Sequence, residues 1–425
     1  MNSKIPNTSF TRAGFISTRL AGTDGVTLEV KKWAHVLERN GLDCFYFGGK
    51  LDCPEGRSFL VPEAYFEHPD IKDINAGVFG VRRRRPEISA KIHAIKEALK
   101  AALYEFQREF SPDLIIPENA LAIPMNIPLG MAITEFIAET GIPTIAHHHD
   151  FSWERDRFLI NACRDYLDMS FPPSLPSIAH VVINSLASEQ LSHRRGLSST
   201  VIPNVLDFAA GAPPVDMHCL DLRKKLGLKK GDLFILQPTR VVSRKRIERS
   251  VELVKELDLR RPRLIISHGA EDEGTDYYHR LLEYARRMGV EIVPIDSWIA
   301  PERTADACGL KQYAIADLYR CSDLVTYPSG YEGFGNAFLE ALFFRRPVVV
   351  NRYSTYVADI EPKGFQVIVI DAIVTSRVIE QIREVLTDPG KLDDMVETNY
   401  RLARKYFSYE VLEEKLLHLV RTFSA

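Results

Sequence analysis

No two cysteines in this chain form a C-x-x-C pair; the six, at Cys44, Cys53, Cys163, Cys219, Cys308 and Cys321, are scattered. That scatter excludes a zinc ribbon and offers no disulfide framework, so a reducing, cytoplasmic setting is expected. Long apolar runs are missing as well. Nothing approaches the roughly 18 uninterrupted apolar residues of a membrane span, and the opening "MNSKIPNTSFTRAGFIS" lacks the apolar core of a secretory leader. No transmembrane segment is expected. Neither sign of charge dominates, with 54 Lys+Arg against 57 Asp+Glu, which argues against a general nucleic-acid binder. Low-complexity tracts and short-period repeats are absent, so the chain is neither a solenoid nor a linker.

What the sequence does have is length and alternation. At 425 residues it exceeds what one hydrophobic core serves, and two domains are expected. From Ala13 an apolar strand "AGFIST" passes through the loop "RLAGTDG" into a helix. That helix carries Val26, Val30, Trp33, Ala34 and Leu37 on one face and ends at Asn40-Gly41 before "LDCFYFG". Strand patterns recur at "DLIIPEN", "PTIAHHH" and "HVVINS", giving a mainly parallel, doubly wound sheet. The pattern loosens through "AAGAPPVDMHCLDL" and resumes with "LFILQPT", "PRLIISHG", "VEIVPID", "DLVTYPS", "PVVVN" and "FQVIVID", separated by helical segments. The expected fold is α/β, two doubly wound Rossmann-like domains with a cleft between them, since such sheets bind ligands at their carboxyl ends. The boundaries are placed at 1–205, 206–400 and a terminal helix at 401–425 that packs back on the first domain.

The segment "YPSGYEGFGNAFLEAL" joins a strand to a helix through a glycine loop. Loop glycines admit a ligand close to the backbone, and the first amides of the helix, at Gly335, Asn336 and Ala337, offer the positive end of a dipole to phosphate. Glu332 precedes the helix and Glu340 lies about one turn inside it, placed to hold sugar and ribose hydroxyls. The plain alternative is that both are acids favoured by the helix start. Upstream, "LQPTRVVSRKRIERS" sets Arg240 and Lys245 after another strand of the same domain. Cations there would balance a diphosphate that the carboxylates repel.

These segments resemble glycosyltransferase family 4, the group 1 type. "PSGYEGFGNAFLEAL" is similar to its E-x7-E signature, "TRVVSRKR" to its Arg-then-Lys diphosphate motif, and "VIPNVLDF" to its junction segment. The resemblance implies a GT-B fold and a retaining hexosyltransferase that uses a nucleotide-diphosphate sugar without a metal or other cofactor. By position, Glu332 would contact the donor sugar, Glu340 the ribose, Arg240 and Lys245 the diphosphate, and Gly335, Asn336 and Ala337 the phosphates through their amides. Two departures stand out: Leu206 replaces a motif residue, and "NRYSTYVADI" lacks the glycine pair that commonly follows the "PVV" strand.

In the first domain, "AHHHDF" places His147, His148 and His149 in a row. Side-chain alternation sends neighbours to opposite faces, so no metal site is expected from all three. The resemblance makes His149, with His147 in reserve, a histidine that faces the donor. It likewise makes Gly22 and Gly25 of "AGTDG" donor-loop glycines, against the alternative of a plain strand-to-helix turn. Asn119 and Asn126 of "PENALAIPMN", with Glu118 beside them, are candidate acceptor-hydroxyl partners, and Trp153 and Arg155 extend that wall. "VRRRRP" would bind an anionic acceptor or be a solvated loop. The expected partners are a nucleotide-sugar donor and a small-molecule or glycan acceptor, with a leaning toward a small anionic or polyol acceptor such as a glycerate derivative. A phosphorylase, an epimerase or a two-lobed sugar-binding protein would share the fold.

Overall fold

The computed structural model describes residues 10–22, 24–259, 261–269, 275–305 and 311–423. Cys308 and Thr23, the centre of the "AGTDG" loop, lie outside them. Contacts divide the chain into Met1–Asn204 with Tyr409–Ala425, and Val205–Ser408.

The described residues of the first unit hold seven strands: β1 (Arg12–Ser17), β2 (Asp43–Gly48), β3 (Ser58–Leu60), β4 (Leu114–Pro117), β5 (Thr144–His148), β6 (Ile178–Val182) and β7 (Ser199–Val201). They lie in the order β3-β2-β1-β4-β5-β6-β7, and every pairing is parallel. The central strands are buried on both faces, which is why "LIIP" and "TIAHH" are continuous runs without alternation. Helix Pro86–Phe110 and helix Ile127–Thr140 cover one face, with Leu99, Leu103, Phe106, Ile133 and Phe136 packed on Ile115 and Ala146.

The second unit has β8 (Leu233–Gln237), β9 (Pro262–Ile266) and β10 (Ile292–Pro294), a two-stranded ribbon of β11 (Thr304–Ala305) and β12 (Lys311–Gln312), then β13 (Leu324–Tyr327), β14 (Val348–Asn351) and β15 (Ile368–Ile370). Its main sheet runs β10-β9-β8-β13-β14-β15, parallel throughout. Its first strand, β8, therefore pairs with β9 on one side and β13 on the other. That is the doubly wound order whose ligand crevice opens where the strand order reverses, here between the loops after β8 and β13. The matching reversal in the first sheet falls between the loops after β1 and β4.

Three segments differ from the expected pattern. The loose stretch "AAGAPPVDMHCLDL" runs into a helix, Met217–Lys225, capped by Asp216 Oδ1 on the Cys219 amide at 3.0 Å. It buries only Cys219 and Leu222, too few positions to show a period. Strands β3 and β7, three residues each at the sheet edges, carry too few side chains to alternate visibly. The terminal segment is two helices, Pro389–Phe407 and Tyr409–Thr422, broken at Ser408. There the Phe407 carbonyl accepts from the Leu206 amide at 3.0 Å. The second of these helices belongs with the first unit, where Asn40 Nδ2 donates to Glu413 Oε1 at 2.6 Å and Lys415 Nζ to the Val201 carbonyl at 2.9 Å.

Candidate functional site

In the second unit the chemistry gathers at the reversal between β8 and β13. After β8 the backbone turns through a single 3-10 turn, Ser243–Lys245, and Arg246 sits in the left-handed region at φ 48°. This brings Arg244 and Lys245 to Glu332 in the loop after β13. Lys245 Nζ donates to Glu332 Oε1, and Arg244 Nη1 to Glu332 Oε2 at 3.2 Å. Lys245 and Glu332 are both buried at 8% exposure, so neither charge is screened by water and each needs the other. Burial draws the Lys245 ammonium below the ordinary lysine value against the pull of Glu332, and the nearby Arg244 and Arg240 charges act with it. Burial pushes the Glu332 carboxyl upward, but Lys245 and Arg244 outweigh that and hold it below the ordinary range. Arg240 is near enough to act also on His268, at the end of β9, whose imidazole is lowered first by burial and then by Arg240 and Lys245. Two cations thus grip one carboxylate, and a third, Arg240, lies near enough to act on Lys245 and His268.

The loop is fixed by what lies beneath it. Gly330 N donates to the Arg244 carbonyl at 2.8 Å, tying the two loops together. Thr355 Oγ1 donates to the Glu332 carbonyl at 2.9 Å, Tyr353 Oη to the Phe334 carbonyl at 2.8 Å, and Asn351 Nδ2 to the Ser329 carbonyl at 3.0 Å. Gly335, just before helix Asn336–Phe343, has φ 119°, and a Cβ there would lie 2.7 Å from Tyr353 Oη. The first-turn amides of such a helix have no acceptor within the helix. Glu340 sits on its second turn, partly buried; its carboxylate, after burial, keeps the Tyr319 phenol protonated.

The sequence reading named Arg240, Lys245, Glu332 and Glu340 but passed over Arg244 and His268. Arg244 stands inside the basic run already singled out, and its role depends on how the turn directs it. His268 carries no sequence signal beyond its place after a strand.

In the first unit the reversal lies between β1 and β4. Glu118, directly after β4, is completely buried. It accepts from His147 Nδ1 at 3.1 Å through Oε2 and from His149 Nε2 at 2.5 Å through Oε1. The His147 ring stacks on Trp33 at 4.2 Å between centroids. Alternation along β5 turns His148 to the other face, where its Nε2 meets His180 Nδ1 at 2.9 Å. Burial holds that second pair neutral: His148 falls well below the ordinary value and His180 falls to about 4. On the first face the order differs. His147 is lowered, chiefly by burial. For His149 burial also pulls downward, but the hydrogen bond and charge of Glu118, then Glu29 and Asp150, outweigh it and raise the imidazole. Burial pushes Glu118 upward, and the two imidazoles overcome that and lower it.

Glu118, His147 and His149 are also the one group of described residues spaced for a metal ion, with ligand atoms within 4.8 Å of one another. A metal-bound imidazole hands its other N–H to an acceptor. His147 Nε2 is buried with no such partner, and the trio is assembled as a carboxylate holding two imidazoles by hydrogen bonds.

The remaining first-unit candidates divide. Asn119, in the left-handed region at φ 56°, uses Oδ1 to accept the amides of His149 at 3.0 Å and Asp150 at 3.3 Å, so it shapes the histidine loop. Asn126 is corrected as an acceptor-binding residue: it is buried, caps helix Ile127–Thr140 on the Leu129 amide at 3.0 Å, and gives both amide hydrogens to the carbonyls of Glu63 and Ala64. Glu118 is likewise closed to an acceptor hydroxyl. Trp153 Nε1 donates to Gln190 Oε1 at 2.8 Å and its ring stacks on Phe151, beside a cavity of about 150 Å³. Arg155 pairs with Asp150 at 2.8 Å. In the basic run, Arg84 is committed to Asp165 at 2.7 Å, while Arg82, Arg83 and Arg85 are exposed. Gly22 adopts φ 81°, whereas Gly25 is the first residue of helix Gly25–Arg39, and Asp24 caps that helix on the Val26 and Thr27 amides at 3.1 and 3.3 Å. The amides an anion would use at this end already meet a carboxylate.

The family described as "Glycosyl transferases group 1" matches residues 308–402. The mannosylglucosylglycerate synthase of Thermotoga maritima is 31% identical over 428 residues, covering 92% of this chain and 96% of the relative. A glycosyltransferase from Rickettsia africae superposes with a TM-score of 0.67 at 13% identity, over 98% of this chain and 99% of that one. Alr3699/HepE from Anabaena, solved in complex with UDP and glucose, gives 0.64 at 14% identity, over 97% and 100%. At such identities the two superpositions establish the fold. Among the described residues no helix is long and apolar enough to cross a membrane.

Proposed function

Because this chain belongs to the group 1 glycosyltransferases, we propose that it transfers a hexosyl group from a nucleotide-diphosphate sugar to a glycerate-derived acceptor, with retention at the anomeric carbon. The observation that carries the reading is the grip of Arg244 and Lys245 on Glu332, with Arg240 acting on Lys245, at the point where the second sheet reverses its order. An excess of fixed cations over one carboxylate suits a diphosphate, which is both bound and expelled there.

In this reaction the bond from anomeric carbon to phosphate oxygen breaks with its electrons passing to the phosphate. The acceptor hydroxyl adds on the same face and its proton goes to the departing oxygen. Arg240, Lys245 and the amides of Gly335, Asn336 and Ala337 stabilise the charge that develops on the diphosphate, and they are held in place before it forms. Glu332 holds sugar hydroxyls while Arg244 and Lys245 keep it ionised and oriented, and Glu340 holds the ribose. In the first unit, His149 is the residue placed to meet a substrate oxygen. No step calls for a metal or other cofactor.

The relative's name describes a product built from mannose, glucose and glycerate, so glucosylglycerate is the acceptor to test first and mannose the first sugar. Incubating the chain with UDP-, GDP- and ADP-linked hexoses and this acceptor should release nucleoside diphosphate and yield the mannosylated product by mass spectrometry. Glu332→Ala should lower turnover at least 100-fold, on the order of 3 kcal/mol of lost transition-state stabilisation. Full turnover by that variant would remove the role given to Glu332. Release with glycerate-free acceptors only would overturn the acceptor class.

A further inference from the structure

Glu118 is unusual among the buried acids: it lies at 0% exposure, and among the described residues its side-chain partners are two imidazoles, with no lysine or arginine paired to it. A carboxylate in that setting stays ionised only if one imidazole carries a second proton. The geometry says which. His149 Nε2 approaches Glu118 Oε1 at 2.5 Å, while His147 Nδ1 comes no nearer than 2.9 Å to the same oxygen, and the shorter contact is that of a charge-assisted bond. His147 is packed flat on Trp33 with Nε2 sealed from water and without a partner, a site that disfavours a second proton. His149 belongs to the loop that follows β5. Its Nδ1 has no hydrogen-bond partner among the described residues, so a proton there is available to a ligand.

We propose that Glu118 is a positioning residue for His149: it holds the ring with Nε2 inward and keeps it doubly protonated, so that Nδ1–H acts as a charged hydrogen-bond donor to a substrate oxygen. This rests on the glycosyl-transfer reading above. Other groups facing His149 act in the same sense. Helix Gly25–Arg39 presents Glu29, itself ion-paired with Lys32, and the loop presents Asp150, paired with Arg155. His147 opposes them only when it is charged. The His148–His180 pair on the opposite face has the same residue types without a carboxylate between them, and it stays neutral. A buried carboxylate fixes both the tautomer and the charge of an imidazole it binds.

The test is an NMR titration of the histidine rings in the full chain, with the His149 signal assigned by its loss in His149→Gln. In the native protein His149 should titrate above the ordinary histidine value. In Glu118→Gln, which keeps the hydrogen-bond acceptor and removes the charge, its midpoint should fall by about one unit or more. The alkaline limb of kcat/KM should move down by the same amount, whereas a merely structural lesion lowers activity at every pH without moving the limb. A native midpoint below the ordinary value overturns the proposal, and that measurement needs no variant to fold. An unchanged midpoint in Glu118→Gln overturns it too. The ring titration needs no substrate, so failure of the chain to turn over any donor would remove the assigned reaction while leaving this result to be read separately.

Discussion

Lys245 and Glu332 are 87 positions apart in the chain and share one buried ion pair. A sequence shows that both residues follow strands, but not that they meet, because burial and pairing are set by how two loops close over one sheet edge. Hence Arg240, Lys245, Glu332 and Glu340 were legible through their motifs, while Arg244 and Glu118 were not. Glu118 looked like an acceptor partner because it stands after a strand beside Asn119; full burial between two histidines is a tertiary fact. The histidines also give a stability prediction. His180 is held at about 4 in the folded chain, against about 6.5 when unfolded. The unfolded chain therefore binds more protons between these values, and stability is present above pH 6.5 and lost as pH falls toward 4. Denaturant unfolding across this window should show a loss of about 3 kcal/mol from this residue. His180→Gln should flatten the dependence; an equally steep variant would assign the loss elsewhere.

At the scale of elements, helix Asn336–Phe343 matters for where it starts. Its start is fixed by Gly335, whose φ of 119° is a conformation that side chains avoid, and by the hydroxyls of Tyr353 and Tyr327 lying 2.7 and 3.2 Å from where a Cβ would stand. The glycine was read from sequence as room for a ligand, and the structure adds that two tyrosines already need that room. Gly335→Ala should lower stability by about 1–3 kcal/mol through backbone strain. It should also reduce nucleoside diphosphate release by more than that loss of folded protein explains, since the helix amides move with the turn. Urea unfolding and a release assay on the same preparation separate the two effects. Equal stability and equal activity would mean that the turn relaxes without disturbing the helix.

At the scale of the molecule, each unit has its own sheet, and the first is completed by the last segment of the chain. Helix Tyr409–Thr422 buries Leu412, Leu416, Leu419 and Val420 in it, and burial of such side chains is worth roughly 1.5–3 kcal/mol each. Ending the chain after Ser408 should therefore lower the unfolding midpoint of the first unit. Trp33 and Trp153 report on that unit once Trp298 is replaced by phenylalanine, and an unchanged fluorescence midpoint would show that the helix contributes little. The sequence by itself determined the α/β class, the two parallel sheets and the donor motif, because strand runs, helical periods and glycine loops are local patterns. Only the tertiary structure decided where Ser408 breaks the terminal helix, which cations grip Glu332, and which histidine keeps a proton. Those outcomes depend on burial and on distances between residues far apart in the chain, and no local pattern encodes them.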